Sequence, residues 1–341
     1  MVIENMEIRR VQMTGGSSYI ITLPKEWIKS LKIQKNDQVG LLTQSDGTLL
    51  VSPKIDRELS QKIKEFDASN ITNQNFLLRR LIGAYIYGYN SIEIKSSTRM
   101  NPEVKMTVRK FTQTTIGQEI VEETDTHIIV KDLLNPAEMP FNRTIKRMHI
   151  IVKGMHEDIM TALRRNDKKL AEDVLLRDNE IDRLHWLVAR QHNIILQNVS
   201  LAEKMAITIE MATTSFLISR IIERIGDHVI RIAKNIINIA DNKIDEIFIE
   251  KLESTSNLAL DLFNKSITSF LRKDIKLANQ TIDEVHKLET RCKEINKLAL
   301  KQKGDIVISL GYIIDSIRRI GEYSSDISEN VINHFIGEEK R

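Results

Sequence analysis

The spacing of apolar and polar residues divides the chain into three parts, and the first part has the pattern of short strands. Apolar-rich runs at residues 8–13, 19–23, 39–43 and 49–51 are separated by Gly15-Gly16 and Asp46-Gly47, which predicts four strands joined by turns. Residues 24–31 begin with a proline that suits a first helical turn, so a short helix is predicted between the second and third strands. A unit of residues 1–55 can bury only a small core, and we expect it to intertwine with a second copy as a homodimer.

The second part, residues 56–138, has mixed periodicity and predicts a small α+β unit. We predict helices at 75–89 and 102–111 and strands at 91–95, 118–123 and 127–130. Asn135-Pro136 and Met139-Pro140 then interrupt the chain, because a residue before proline is pushed out of helical geometry. A domain boundary is therefore predicted near residue 138.

The third part, residues 139–341, predicts long bundled helices. It has no proline after Pro140, and its apolar residues recur at spacings of three and four, the pattern of core-facing helices. Two seams are clear: Ile145, Met148, Val152, Met155, Ile159 and Ala162, then Ile218, Ile221, Ile225, Val229, Ile232, Ile236 and Ile239. Further helices are predicted at about 166–196, 247–271, 274–302 and 306–335, which makes six.

Two short motifs recur and divide the six helices into two sets of three. Asp167-Lys-Lys-Leu-Ala171 returns as Asp274-Ile-Lys-Leu-Ala278, and Arg224-Ile-Gly-Asp-His228 returns as Arg319-Ile-Gly-Glu-Tyr323. Repeated motifs at equivalent positions indicate an internal duplication. The predicted fold class is therefore mainly α, with tandem three-helix bundles at 139–243 and 244–341 after the β-rich and α+β units.

Composition changes this picture in two ways. The 50 basic and 47 acidic residues leave a net charge of only +3, so any contact with nucleic acid must come from a local surface. The single cysteine, Cys292, has no disulfide partner in the chain and lies in a helical seam, where we expect a buried, inert thiol.

Charges in residues 1–10 argue against a signal peptide, and no run reaches the roughly 20 apolar residues of a bilayer span. We expect a cytoplasmic protein without membrane insertion.

Four carboxylates are the candidate metal ligands. Glu223 and Asp227 are four residues apart on the third predicted helix, and Asp178 and Asp182 have the same spacing on the preceding one, so each pair shares a helix face. Two pairs on neighbouring helices could supply four hard oxygen donors to a divalent or trivalent ion such as iron, zinc or magnesium. The alternative is a solvated face with Arg220 and Arg231 as ion-pair partners.

The second set of helices keeps fewer of these carboxylates. Val285 and Glu289 align with the first pair, and Arg318 and Glu322 align with the second. We therefore expect metal mainly in the first set, with Glu289, Glu322 and Asp326 as weaker candidates in the second.

The run Glu223-Arg-Ile-Gly-Asp227-His228, followed by Ile232-Ala-Lys-Asn235, resembles the motif of PhoU phosphate-signalling regulators. Gly15-Gly16-Ser17, then 22–27 (Thr-Leu-Pro-Lys-Glu-Trp) and Asp37-Gln-Val39, resemble the AbrB-type swapped-hairpin DNA-binding domain. Archaeal PhoU-like regulators join the two modules in this order. Asn36 departs from the glycine that often precedes the aspartate in the AbrB pattern.

This resemblance implies a non-enzymatic regulator of phosphate uptake or signalling that binds metal clusters through its Glu-x-x-x-Asp motif. It also implies a phosphate-transporter component or a sensor kinase as partner. DNA binding by the first unit would use basic side chains on its surface: Arg9, Arg10, Lys25, Lys29 and Lys32. These residues could instead balance nearby acidic groups, and a swapped hairpin can serve dimerisation alone.

A metal-dependent oxidase or a metal-storage bundle is the alternative function. Asp182-x-x-His185 and Asp283-x-x-His286 resemble the ligand spacing of di-iron bundles, although aspartate is shorter than the usual glutamate and the two pairs are not repeat-equivalent. The chain has no Walker loop, dinucleotide fingerprint or nucleophile elbow. We therefore expect a protein that is not an enzyme.

Overall fold

A computed structural model describes residues 7–43, 47–53, 62–197, 199–302, 304 and 306–338. The chain divides into two compact units, Met1–Ser60 and Gln61–Arg341. The predicted boundaries near residues 138 and 243 both fall inside the second unit. Across the described ranges, no helix combines the length and the apolar character that crossing a bilayer requires.

The first unit contains two hairpins with a short helix between them. Strands β1 (Gln12–Thr14) and β2 (Ser18–Ile20) pair antiparallel, as do β3 (Gly40–Thr43) and β4 (Leu49–Ser52), and helix α1 spans Lys25–Ser30. Gly15 and Gly16 turn the first hairpin with φ angles of 57° and 81°, a region that glycine enters without steric cost. The predicted order of elements is confirmed, but the first two strands are shorter than the apolar runs at 8–13 and 19–23.

An α+β layer opens the second unit. A four-stranded sheet has the order β5-β6-β8-β7, with β5 parallel to β6 and the other pairs antiparallel. Its elements are β5 (Ile63–Asp67), α2 (Gln74–Tyr87), β6 (Ser91–Lys95), α3 (Pro102–Thr114), β7 (Gln118–Glu123) and β8 (His127–Asp132). All of the predicted elements are present, and β5, which the sequence analysis does not include, forms one edge.

Two three-helix bundles make up the rest of this unit. The first contains α4 (Phe141–Arg165), a second segment divided into α5 (Lys168–Leu176) and α6 (Asp178–Gln197), the short helix α7 (Val199–Lys204), and the third long helix α8 (Ile209–Ile239). The second contains α9 (Glu246–Arg272), α10 (Ile275–Ala299) and α11 (Ile306–Phe335). Helix α8 packs along α11 and α4 packs on α9, so the bundles share one apolar core.

The prediction of one helix over 166–196 is wrong, because the helix is divided at Arg177. The Arg177 guanidinium binds Asp158 of α4 at 2.6 Å and also pairs with Asp173, one turn back on α5. Helix α6 then begins at Asp178. One seam residue is also misplaced: Ile222 is buried, whereas Ile221 is only partly buried.

The duplication is visible in the backbone where each bundle makes its first turn. Asn166 and Lys273 both adopt left-handed φ angles, 53° and 57°, and end α4 and α9. The next residues, Asp167 and Asp274, each accept a hydrogen bond from the backbone N–H three residues on and so begin the following helix. Matching caps at matching positions confirm the predicted internal repeat.

Side chains of α6 bind the carboxyl end of α2 and so fix the α+β layer against the first bundle. The buried Arg190 donates to Asp132 through Nε at 3.0 Å and to the carbonyl oxygens of Tyr85 and Tyr89. Asn193 and Gln197 donate to the carbonyls of Ile86 and Tyr87. Ile86 and Tyr87 are the last two residues of α2, where a helix end leaves carbonyls without an intrahelical partner, so α6 supplies their hydrogen bonds.

Candidate functional site

The candidate site lies where α6 and α8 approach closely. Gly226 of α8 faces the buried Ile181 of α6, and a Cβ atom at Gly226 would lie only 2.9 Å from Ile181 Cδ1. The second bundle repeats the arrangement, because a Cβ atom at Gly321 would overlap Leu288 Cδ2. The glycine of the Glu-Arg-Ile-Gly-Asp motif therefore lets the two helices pack at short range.

This approach brings together the four carboxylates that the sequence predicts. Asp178 and Asp182 on α6 and Glu223 on α8 are half-buried, and Asp227 is exposed at the rim. We call these four residues the carboxylate patch. Among the described residues, none of the four forms an ion pair or a side-chain hydrogen bond, so their charge has no direct partner. Arg231, one of the two suggested ion-pair partners, instead contacts Asp315 of α11 at 3.6 Å.

The patch holds its protons unusually tightly. Burial raises the pKa of Asp182 to about 6, and the charges of Asp178 and Asp227 add to this shift. Burial also raises the pKa of Glu223 to about 7, again with Asp227 and Asp182 contributing. The mutual influence of α6 and α8 carboxylates shows that the patch is one electrostatic group.

Two further carboxyls and three cations complete the electrostatics of the patch. Partial burial raises the pKa values of Asp178 and Asp227, and the charge of Lys234 opposes both shifts. The charges of Arg220 and Arg224 lower the pKa of Glu223 in the same way. Arg220 is one of the two ion-pair partners suggested by the sequence, whereas Arg224 and Lys234 were not singled out and have no sequence signal beyond their proximity to the motif.

The carboxylate patch has the oxygen donors of a cation site, but its side chains are not arranged around a common point. Its oxygens are hard donors with excess negative charge, which suits divalent and trivalent ions. In the part of the chain that the structure describes, however, no three His, Cys, Asp or Glu side chains converge closely enough to hold a metal ion. Binding would therefore require these side chains to turn toward one another.

The equivalent face of the second bundle carries its own cation. Arg318 occupies the position of Glu223, and its guanidinium binds Asp315 at 2.8 Å and pairs with Glu322, which corresponds to Asp227. Arg319 also pairs with Glu322, at 3.0 Å. Glu322 is thus neutralised by two arginines, and Glu289 lies 3.7 Å from His286. Burial raises the pKa of Asp326, and the charges of Glu329 and Glu322 add to this shift.

The family comparison matches both bundles. A family model described as "PhoU domain" matches residues 145–236 and 252–331. The chain belongs to the PhoU family. The two matched segments correspond to the two copies of the internal repeat, and the first contains the whole carboxylate patch.

Individual PhoU proteins are distant in sequence and similar in fold. A "Phosphate-specific transport system accessory protein PhoU homolog" from Xylella fastidiosa is 25% identical over 202 residues, covering 57% of this chain and 83% of the relative. A protein of the same description from Clostridium acetobutylicum is 21% identical over 207 residues, covering 57% and 90%. The crystal structure of PhoU from Pseudomonas aeruginosa superposes with a TM-score of 0.53 at 18% identity, covering 58% of this chain and 96% of that one. PhoU from Streptococcus pneumoniae gives 0.51 at 18% identity, with 59% and 96% covered.

The N-terminal unit belongs to a second type of domain. Residues 12–58 match a family model described as "Antidote-toxin recognition MazE, bacterial antitoxin", which supports the predicted AbrB-like domain. Asn36, the departure from the family pattern, has a φ angle of 75°, a left-handed conformation that asparagine tolerates.

The basic side chains predicted to bind DNA all lie on the surface of this unit. Arg9 and Arg10 precede β1, Lys25 and Lys29 are one turn apart on α1, and Lys32 follows the helix. Lys25 and Lys29 therefore share a helix face. Arg9 pairs with Glu7, so its charge balances a nearby acidic group, which is the alternative to DNA binding given in the sequence analysis.

The histidines of the di-iron alternative serve other contacts. His185 is buried, its Nδ1 lies 3.1 Å from the Ser219 hydroxyl, and its ring stacks against Phe216. His286 is exposed and faces Glu289. Neither ring joins a set of ligands in the described residues, and the relatives reported above give this alternative no support. Cys292 is buried as predicted, and burial raises the pKa of its thiol to about 12.

Proposed function

We propose that this PhoU-family protein regulates phosphate uptake or signalling by binding other macromolecules rather than by catalysis. The observation that carries the proposal is the PhoU match over both bundles. It is supported by relatives described as accessory proteins of the phosphate-specific transport system. The partner we propose is a component of the phosphate transporter or a sensor kinase.

The carboxylate patch is the part of the bundles that we assign to a cation. The carboxylate patch (Asp178, Asp182, Glu223 and Asp227) would hold a divalent or trivalent ion. The ion would replace the protons that these side chains bind and would draw α6 and α8 together. The raised pKa values of Asp182 and Glu223 support this role, because burial and the neighbouring carboxylates disfavour the ionised forms and a bound cation would stabilise them. In the second bundle, Arg318 already supplies positive charge at the equivalent place.

The N-terminal unit is the part that we assign to dimerisation. In residues 7–43 and 47–53, no described side chain is buried, and Ile8, Tyr19 and Leu41 are 91%, 75% and 65% exposed. A hairpin unit with its apolar side chains in water is stable only when another surface covers them. A second copy of the same unit would do so, as in a swapped-hairpin dimer, and it would bring two sets of basic residues together for DNA.

Phosphate uptake in the source organism tests the regulatory function. We expect a strain without the gene to keep taking up phosphate when phosphate is abundant, because the repressing signal is lost. Reintroducing the Glu223→Gln/Asp227→Asn variant should fail to restore regulation. The Glu246→Gln/Glu250→Gln variant, which alters an exposed pair of the same spacing on α9, should restore it. Uptake that responds normally to phosphate in the deletion strain would contradict the proposal.

A further inference from the structure

The outer side of α2 and the neighbouring edge strand β5 carry cations without acidic partners. Arg79 and Arg80 are exposed on α2, and Lys64 is half-buried on β5. Among the described residues, none of the three forms an ion pair. Several other cations of the α+β layer are paired: Lys95 contacts Glu65 at 2.7 Å, and Arg109 contacts Glu123 at 3.0 Å. The positive charge of this surface is therefore left for an external anion.

Aromatic rings alternate with these cations in one continuous row. The Arg80 guanidinium lies 4.7 Å from the centre of the Phe66 ring and 5.6 Å from that of Phe76. Lys64 Nζ lies 5.8 Å from the same Phe66 ring and 5.9 Å from that of Tyr89. Arg80 and Lys64 thus contact the same buried Phe66 ring, and no described acidic side chain forms an ion pair with either of them.

The two ends of the row are exposed rings. Phe76 is 57% exposed and Tyr87 is 53% exposed. Tyr87 stacks on Tyr89 with ring centres 5.1 Å apart and planes inclined by 27°, which holds the tyrosine pair in place. Large exposed aromatics beside unpaired arginines indicate a binding surface rather than a solvated face.

One stripe of α2 connects these rings. Phe76, Arg80, Gly83 and Tyr87 have spacings of four, three and four residues and so lie on one helix face, about 16 Å long at roughly 1.5 Å per residue. A Cβ atom at the exposed Gly83 would meet nothing within 4 Å, so the middle of the stripe is open. We call this stripe, with Arg79 and Lys64, the α2 surface.

We propose that the α2 surface binds a single-stranded nucleic acid. Arg79, Arg80 and Lys64 would contact its phosphates, and bases would stack on Phe76 and Tyr87. Surfaces that bind single strands combine a cationic track with aromatic rings, because every base offers a face for stacking. A duplex hides its base faces, and an acidic peptide would use the cations without needing two flat rings. This activity is independent of the proposed regulation of phosphate uptake.

Binding of a short fluorescein-labelled oligothymidylate by the full-length protein, measured by fluorescence anisotropy, tests this proposal. Arg79→Gln/Arg80→Gln should make the slope of log affinity against log salt shallower by about 1.4, at roughly 0.7 per phosphate contact on a single strand. Phe76→Ala should weaken binding by at least about fivefold, since one stacked base contributes roughly 1 kcal/mol or more. Thermal melting of each variant checks that it is folded.

Two control variants separate this surface from other basic sites. Lys110→Gln/Lys131→Gln removes the same charge from exposed positions of α3 and β8, and it should leave the salt slope unchanged. In an Arg9→Ala/Arg10→Ala background, Phe76→Ala should still weaken oligothymidylate binding by at least about fivefold, which distinguishes the α2 surface from the N-terminal unit. The proposal is overturned if the wild-type protein does not bind oligothymidylate or if folded Arg79/Arg80 variants bind it normally. It is equally overturned if duplex DNA or poly-glutamate binds these residues as tightly.

Discussion

Replacing the motif glycines by alanine tests whether the two repeats depend on close helix packing. Alanine at Gly321 would place its methyl group against Leu288 Cδ2, with Leu262 Cδ1 at 3.7 Å on another side. Leu288 and Leu262 are fully buried, so neither can move into solvent. Alanine at Gly311, in the same helix, would meet nothing within 4 Å.

Two opposing terms decide the sign of each substitution. In a helix interior, alanine is favoured over glycine by about 1 kcal/mol. Overpacking a core costs roughly 1–3 kcal/mol. We therefore expect Gly311→Ala to stabilise the protein by up to about 1 kcal/mol and Gly321→Ala to destabilise it by up to about 2 kcal/mol. Gly226→Ala should fall between them, because its nearest contact, 2.9 Å, is with the end of the Ile181 side chain.

Urea unfolding followed by far-ultraviolet circular dichroism measures these differences. The two α11 variants share the substitution, the helix and the solvent conditions, so their free energies of unfolding should differ by the overpacking cost, about 1–3 kcal/mol. Equal free energies for Gly321→Ala and Gly311→Ala would refute the reasoning. They would mean that the motif glycine does not set the distance between α10 and α11, and by repeat symmetry that Gly226 does not set it between α6 and α8.

Three further predictions concern the dimer, DNA and pH. Removing residues 1–55 should lower the subunit number measured by light scattering, and an unchanged number would remove the support for hairpin-mediated dimerisation. Arg9→Ala/Arg10→Ala should make the salt slope of duplex binding, to the promoter region of its own operon or of phosphate-uptake genes, shallower by about 3.6 per dimer, at roughly 0.9 per contact. Wild-type binding no tighter than to a random duplex would contradict that assignment. Burial lowers the pKa of His156 to about 4, so stability should fall as the pH drops from about 6.5, where the unfolded histidine takes up a proton, to about 4. The free energy of unfolding should fall by about 3 kcal/mol over this pH range. His156→Gln should lack this pH dependence, and identical pH profiles for the variant and the wild type would contradict the prediction.

Much of the helical part could be predicted because its apolar seams are long and regular. It was harder to predict which residues of α8 face the core, because Ile221 and Ile222 are adjacent and α8 packs against α4, α5, α6 and α11 together. The division at Arg177 has no glycine or proline signal and depends on the contact with Asp158, a residue of another helix. Strand β5 was missed because its sequence, Ile-Lys-Glu-Phe-Asp, buries only Phe66.

The candidate site shows the same division between pattern and packing. Helical spacing and the repeat alignment placed Asp178, Asp182, Glu223 and Asp227 together and singled out Arg318 as a difference between the bundles. The raised pKa values depend on burial between α6 and α8, which no spacing rule supplies. The α2 surface was not predicted, because β5 was missed and Arg80 approaches Phe66 only in the folded chain.

Metal retention is the most direct test of the carboxylate patch as the regulatory centre of this PhoU protein. Purified protein is incubated separately with zinc, iron or magnesium, freed of unbound ion by gel filtration, and analysed for metal per chain. We predict that wild-type protein and Glu246→Gln/Glu250→Gln retain one of these ions and that Glu223→Gln/Asp227→Asn loses most of it while staying folded. Retention should fall as the pH drops below about 7, where Glu223 and then Asp182 take up protons. Equal metal content in the patch variant and the wild type, or no retention by either, would contradict the account.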